Sequence, residues 1–158
     1  MSCSVAIITP IYKFPLSEDE QISWSSIRKH LSSYEHYVVL PKGLDEDTPM
    51  LGPEIKISTF ADWYFKNIEG YNSLLLSLEF YEKFSNFDFI LLVQLDALVL
   101  KNDLEKWCAK GWDYIGAPWT GFLTAEGAKP LYGVGNGGFS LRKTRAALKV
   151  LKLSLIHI

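Results

Sequence analysis

The run Phe87 to Val93 is the most hydrophobic strand this sequence can form, and it leads directly into Gln94-Leu95-Asp96. A strand that is apolar at consecutive positions is buried on both faces, so it belongs at the centre of a largely parallel sheet covered by helices. Ser4 to Ile11 is a second, β-branched strand that stops at Thr9-Pro10, where proline ends the ladder. Shorter strands are expected at His36 to Leu40, Glu54 to Thr59 and Trp112 to Ile115, with a turn at Ala117-Pro118-Trp119. Ser17-x-x-Glu20 is a capping box that opens a helix bearing Ile22, Ile27, Leu31 and Tyr34. Tyr71 to Phe84 carries Leu74, Leu75, Leu78, Tyr81 and Phe84 on one helical face, and Asp103 to Lys110 is a short helix with its carboxylate near the N-terminus. A further helix follows from Lys143. Strands alternating with helices predict an α/β layered domain.

At 158 residues the chain suits one domain with a sizeable core. Apolar residues at 48% and charged residues at 22% exclude a disordered or collagen-like chain. The formal charge is −2 and the charges are scattered, so no nucleic-acid partner is expected. Aromatics reach 14%, which serves either an aromatic core or flat contact surfaces. Cys3 and Cys108 form neither a disulfide framework nor a zinc pattern, which points to a reducing compartment. No basic residue precedes Lys13, and the apolar stretch Val5 to Ile8 is too short for a signal peptide. Phe87 to Leu100 is interrupted by Asp88, Gln94 and Asp96 and falls short of a transmembrane segment. A soluble, cytoplasmic protein is expected.

The chain closes on Leu153-Ser154-Leu155-Ile156-His157-Ile158, an apolar end with no cap or turn signal. These residues match one reading frame of a common sequencing-library transposon end. The expected domain is therefore 1–152, incomplete at its C-terminal side, with 153–158 a non-native tail; the alternative is a genuine terminal strand.

Ligands of open α/β sheets sit outside the carboxyl ends of the strands. Three such ends are expected: Thr9-Pro10-Ile11-Tyr12, Gln94-Leu95-Asp96, and the glycine cluster Gly133 to Gly138. Gln94 and Asp96, two apart on an extended strand, would project to one face and offer oxygen ligands to a hard cation such as Mg²⁺ or Mn²⁺. The competing reading has Asp96 capping the next turn. The glycine cluster fits neither GxGxxG nor GxxxxGK[ST]. Gly137 and Gly138 therefore serve either a close backbone approach to a ligand or a tight turn. No Ser/His/Asp triad is supported, and His30 and His36 read as solvated or structural.

Tyr71-Asn72-x-Leu74-Leu75, Phe80-Tyr81-x-x-Phe84, Gln94-Leu95-Asp96-Ala97-Leu98-Val99, Asp113-Tyr114-Ile115-Gly116-Ala117-Pro118-Trp119 and Gly135-Asn136-Gly137-Gly138-Phe139-Ser140-Leu141-Arg142 occur in that order. Together they resemble a family first catalogued as a domain of unknown function and regarded as glycosyltransferases of the GT-A fold, over roughly residues 4 to 150. The resemblance implies a GT-A-like (Rossmann-like), mixed but mostly parallel sheet flanked by helices. It also implies a nucleotide-diphosphate-sugar donor and an acceptor of unknown identity, a glycan or lipid-linked glycan being possible chemistry. Gln94, Leu95 and Asp96 match the DxD motif that holds the divalent cation (Mn²⁺ or Mg²⁺), with Gln in place of the first Asp and Asp96 as the metal carboxylate.

By the same resemblance Thr9 and Tyr12 border base and ribose, and Tyr71 and Asn72 lie near that pocket. Asn136, Gly137 and Gly138 line the donor-sugar or acceptor side, where Trp119 either stacks on a sugar or packs in the core. Related inverting enzymes place an acidic base after the glycine stretch, whereas no Asp or Glu follows Glu126 here. The catalytic residue is therefore unassigned, and the fragment itself could be inactive. The alternative function is a non-catalytic nucleotide- or carbohydrate-binding module. A sugar-nucleotide-forming enzyme is a weaker third, because no basic glycine-rich loop is present.

Overall fold

The computed structural model describes residues 3–44, 51–118, 123–124, 127–128 and 134–156. Its elements in order are β1 (Val5–Pro10), α1 (Glu18–His30), β2 (Glu35–Pro41) and β3 (Lys56–Phe60). A 3₁₀ turn (Asp62–Phe65), α2 (Ile68–Leu75), α3 (Leu78–Lys83), β4 (Phe89–Val93) and α4 (Leu104–Cys108) follow. The remainder is β5 (Tyr114–Pro118), the short β6 (Leu123–Thr124) and β7 (Gly127–Ala128), β8 (Val134–Lys143) and α5 (Thr144–Ile156).

Six strands form one sheet in the order β3-β2-β1-β4-β8-β5. β1 to β4 run parallel, with Ile7 opposite Leu91, while β8 runs antiparallel to both β4 and β5. Every residue of β1 and β4 is buried, as a strand covered on both faces must be. Successive side chains alternate between two cores. Ile7, Leu91 and Val93 pack with Ile27, Leu31 and Cys108 on the face of α1 and α4. Ile8, Ile90 and Leu92 pack with Leu74, Phe80 and Phe84 on the face of α2 and α3, which α5 joins through Leu148 and Leu151. The mixed, mostly parallel α/β architecture is thus as expected.

Several local expectations are corrected. The helical face Tyr71 to Phe84 is two helices, because Ser77 accepts from the Phe80 N–H at 3.2 Å and starts α3 as its N-cap. Leu74, Leu75, Tyr81 and Phe84 are nonetheless buried. Ile22 is 59% exposed and does not join Ile27 and Leu31 in the core. The last expected strand begins at Tyr114 and continues through Ala117 to Pro118, where the sequence predicted a turn; Pro118 is tolerated because β5 is an edge strand with irregular register there. Asp103 does stand at the N-terminus of α4, as expected, and pairs there with Lys101 and Lys106 without a side-chain capping bond.

The described part of the glycine cluster, Val134 to Gly138, lies within a strand rather than at the end of one. Described from Val134 onward, it enters β8, whose antiparallel course brings its beginning beside the end of β4. Neither Gly137 nor Gly138 has a positive φ, so neither makes a left-handed turn. Leu153 to Ile156 extend α5 rather than forming a terminal strand.

Candidate functional site

A cleft of about 750 Å³ opens at the carboxyl ends of β1 and β4. One wall is α1, contributing Asp19, Glu20, Ile22 and Ser23. The opposite wall runs from Phe65 to Ile68 and on to Tyr71, and the segment from Gln94 to Leu98 crosses between them. Glu20 accepts from the Ser17 N–H at 2.8 Å and lies 3.5 Å from Lys13, so its carboxyl is held below the usual carboxylate range. On the inner side of α1, Ser23 Oγ donates to the Ala97 carbonyl, and Ser26 Oγ accepts from the Val99 N–H at 2.9 Å. These bonds fix the helix against the chain that leaves β4.

β4 ends at Val93, so Gln94 and Asp96 lie not on an extended strand but in a turn closed by Ala97 N–H donating to the Gln94 carbonyl at 3.0 Å. Leu95 turns into the core, 9% exposed, which leaves Asp96 exposed on the cleft. Among the described residues no ion pair engages the Asp96 carboxylate. Its turn position is shared with the capping alternative, but exposure inside a cleft is what a ligand-facing carboxylate requires.

Tyr12 lines the cleft and is 60% exposed, whereas Thr9 is buried inside β1. Tyr71 lines it from α2; Asn72, the next residue, is exposed and is not part of the lining. Gly138 lies behind Gln94, its carbonyl accepting from the Gln94 N–H at 2.7 Å. Asn136 stands in the same strand and its Oδ1 accepts from the Gly138 N–H at 3.1 Å. Trp119 lies outside the described residues.

Three groups at this place were not singled out from the sequence. Lys66, exposed at the cleft wall, sits just after a 3₁₀ turn whose orientation no periodicity announces. Lys13 follows Tyr12 at the end of β1. Arg142 is 8% exposed in β8, donating from Nε to Ser140 Oγ at 3.0 Å and from Nη1 to the Tyr81 hydroxyl at 2.8 Å. Its presence in the glycine-strand motif was visible, but its burial follows from register: Arg142 stands opposite Ile90, whose side chain is in the core.

Burial pushes the Tyr71 phenol up to about 12, against the opposing influence of the nearby Gln94 amide and Arg142 guanidinium. The phenol is a neutral hydrogen-bond donor at physiological pH. Its hydroxyl is buried and has no hydrogen-bond partner among the described residues.

The cleft at the switch between β1 and β4, on a sheet of this order, defines a mixed α/β protein whose ligand site is expected at those strand ends. The structure is similar to 4-diphosphocytidyl-2C-methyl-D-erythritol synthase from Anaerococcus prevotii DSM 20548, with a TM-score of 0.56, 7% identity, and coverage of 98% of this chain and 76% of that one. It is also similar to a cytidylyltransferase from Leptospira borgpetersenii serovar Hardjo-bovis (strain JB197), at TM-score 0.50 and 10% identity, covering 97% of this chain and 65% of that one. This chain therefore spans less than two thirds of the length of the second protein. No curated protein matches the sequence. The chain belongs to the family described as protein of unknown function (DUF5672), whose model matches residues 54–157.

Proposed function

We propose that this protein binds a nucleotide-diphosphate sugar in the cleft between α1 and α2 and transfers the sugar to an acceptor, as a cytoplasmic glycosyltransferase. One observation carries the reading: a cleft at the carboxyl ends of β1 and β4 presents the exposed carboxylate of Asp96, which no ion pair engages among the described residues. That is where open α/β sheets place ligands. Tyr12 and Phe65 supply ring surface for a base, and Lys13 and Lys66 supply positive charge for phosphates.

Asp96 has the chemistry of a ligand for Mg²⁺ or Mn²⁺. Among the described residues no group of three or more His, Cys, Asp or Glu side chains could enclose such an ion. One carboxylate still suits a cation that completes its shell with waters and substrate phosphates. Such an ion, when bound, would stabilise negative charge developing on the diphosphate leaving group. The side chains of Gln94 and Tyr71 border the same end of the cleft and orient what lies there.

A non-catalytic nucleotide- or carbohydrate-binding module is the second reading, favoured by Gln94 standing where a second metal carboxylate would be and by the absence of any Asp or Glu after Glu126 in this sequence. Nucleotidyl transfer has less support. The two similar cytidylyl enzymes share only the fold, and the segment from Ile11 to Ser17 contains no glycine and only Lys13 as a basic residue.

Titration calorimetry with nucleoside diphosphates, with and without Mn²⁺, tests the site. Asp96→Ala should keep the fold and lose the Mn²⁺-dependent part of the affinity; equal affinity with and without Mn²⁺ in both proteins would remove the metal role. Transfer or hydrolysis of a nucleotide sugar by the protein would exclude the binding-module reading.

A further inference from the structure

Behind the cleft wall formed by Tyr71 and Gln94, the buried Arg142 adds hydrogen-bond donors on the same face of the sheet. Arg142 offers five N–H groups. Two are bound well, by Ser140 Oγ and the Tyr81 hydroxyl, and a third reaches the Gly137 carbonyl only at 3.5 Å. No carboxylate pairs with this guanidinium among the described residues, although it is 8% exposed. The Tyr71 hydroxyl lies beside the Gln94 amide and the same guanidinium, and it is buried with no partner in good hydrogen-bond geometry among the described residues.

The side chains share one face of the sheet. Arg142 and Ser140 stand opposite Ile90 and Leu92, the β4 residues that face α2 and α3, and Tyr71 and Tyr81 come from those two helices. A buried cation without an anion and a buried hydroxyl without an acceptor each cost stability. An oxyanion would accept from the Tyr71 hydroxyl and lie in the field of the Arg142 guanidinium.

We propose that Tyr71, Gln94 and Arg142 form an anion subsite at the inner end of the cleft, which receives a phosphate or carboxylate oxygen of the bound ligand. The inference rests on the cleft being a nucleotide-sugar site and names the group recognised there. Gln94 lines the cleft in front of the cluster and is half-buried, so a rotamer change of its side chain opens the way. The Tyr71 hydroxyl makes the contact. Arg142 acts behind it as a positioning residue, and its charge selects an anion over a neutral sugar hydroxyl. Gln at position 94 matters here because a carboxylate there would supply the anion from within the protein and fill the subsite.

The test compares the wild-type chain with Tyr71→Phe and Gln94→Glu, using inorganic pyrophosphate, nucleosides and the matching nucleoside diphosphates as probes. Thr144→Val is the control, since Thr144 Oγ1 is also buried without a partner and does not line the cleft. The wild type should bind a nucleoside diphosphate at least about 10-fold tighter than its nucleoside, and should bind pyrophosphate. Tyr71→Phe and Gln94→Glu should each lose most of that advantage, keep nucleoside affinity, and melt no lower than wild type. Thr144→Val should leave all affinities unchanged.

A nucleotide hexuronate that gains affinity over the matching hexose, where pyrophosphate and the diphosphate gain none, would assign the anion to a sugar carboxylate. Full retention of the phosphate and carboxylate advantage in both variants overturns the subsite. So does a wild type that binds nucleoside without any preference for an anionic group, an outcome that leaves the nucleotide cleft intact. A wild type that binds none of the probes overturns the cleft reading and the subsite together.

Discussion

Gln94 and Gly138 are bonded and closely packed: the Gln94 N–H donates to the Gly138 carbonyl at 2.7 Å, and Gln94 Oε1 occupies the space a side chain at residue 138 would need, 2.6 Å from where its Cβ would be. The backbone bond continues the β4–β8 ladder one step past the end of β4. The side-chain contact gives the glycine its reason, which is space for Gln94 and not backbone freedom. The glycine strand thus shapes the cleft from behind, through a residue that faces it.

Gly138→Ala should consequently alter the site more than the fold. The new methyl meets the far end of a flexible side chain, which can move at modest cost. Gly70→Ala is the contrast, because its Cβ would lie 2.6 Å from the Trp63 carbonyl oxygen, part of the backbone. The expected order in thermal denaturation is a small loss for Gly138→Ala and a loss of about 1–3 kcal/mol for Gly70→Ala. In nucleotide titration Gly138→Ala should weaken binding through displaced Gln94. An equal or larger stability loss for Gly138→Ala would show that the pair is a packing contact alone.

The layered α/β class, the central β4 and the capping box could be read from the chain because each has a local signature: a continuous apolar run, or a polar pair at fixed spacing. Tyr12, Gln94 and Asp96 were legible for a related reason, since they stand just past the ends of β1 and β4, whereas Tyr71, inside α2, was placed near the pocket only by the family resemblance. The antiparallel β8 was not legible. Its pairing joins residues such as Leu91 and Leu141, and nothing local to either segment encodes that partnership. Arg142 was hidden with it. A cation is expected outside, and only the register opposite Ile90 turns it inward. The Ser77 break was missed because the apolar spacing from Leu74 to Phe84 runs through it.

Ser17→Ala should cost about 1 kcal/mol, the usual worth of a helix cap. Both halves of the capping box are present, with Glu20 N–H donating to Ser17 Oγ at 3.3 Å and Ser17 N–H donating to Glu20 Oε2 at 2.8 Å. Because the two bonds join the same pair of residues, the double variant with Glu20→Ala should lose less than the sum of the single effects. Denaturant midpoints of the three variants measure this; strict additivity would show that the two halves do not cooperate.

Cys108 should resist alkylation in the native protein. Burial and the neighbouring Cys3 thiol push its pKa up to about 12, so almost no thiolate exists at neutral pH. Cys3 is half-buried and is the site that should react first. Mass spectrometry after brief treatment with iodoacetamide should show one adduct, on Cys3, and two after denaturation. Early modification of Cys108 would contradict the packing of α4 against the sheet.

His36 should make stability fall with acid below about pH 6.5, the ordinary value for an exposed histidine. The residue is 7% exposed and Nε2 lies 2.8 Å from the Leu31 carbonyl, so Nε2 carries the proton and Nδ1 is the bare nitrogen. Nδ1 has no partner among the described residues. Protonating it would place a charge and an unmatched N–H in the interior, and the Arg28 guanidinium adds repulsion. Burial, opposed by the Leu31 bond, therefore holds the folded-state pKa below the unfolded value. The unfolded chain takes up the proton first as pH drops, so stability is fully present above pH 6.5 and is lost progressively from there toward the lower folded-state value. Chemical denaturation at pH 7.5 and pH 5.5 should show this loss in the wild type and a smaller one in His36→Leu, which cannot titrate. An unchanged pH dependence in His36→Leu would move the acid sensitivity to carboxylates, whose titration begins lower.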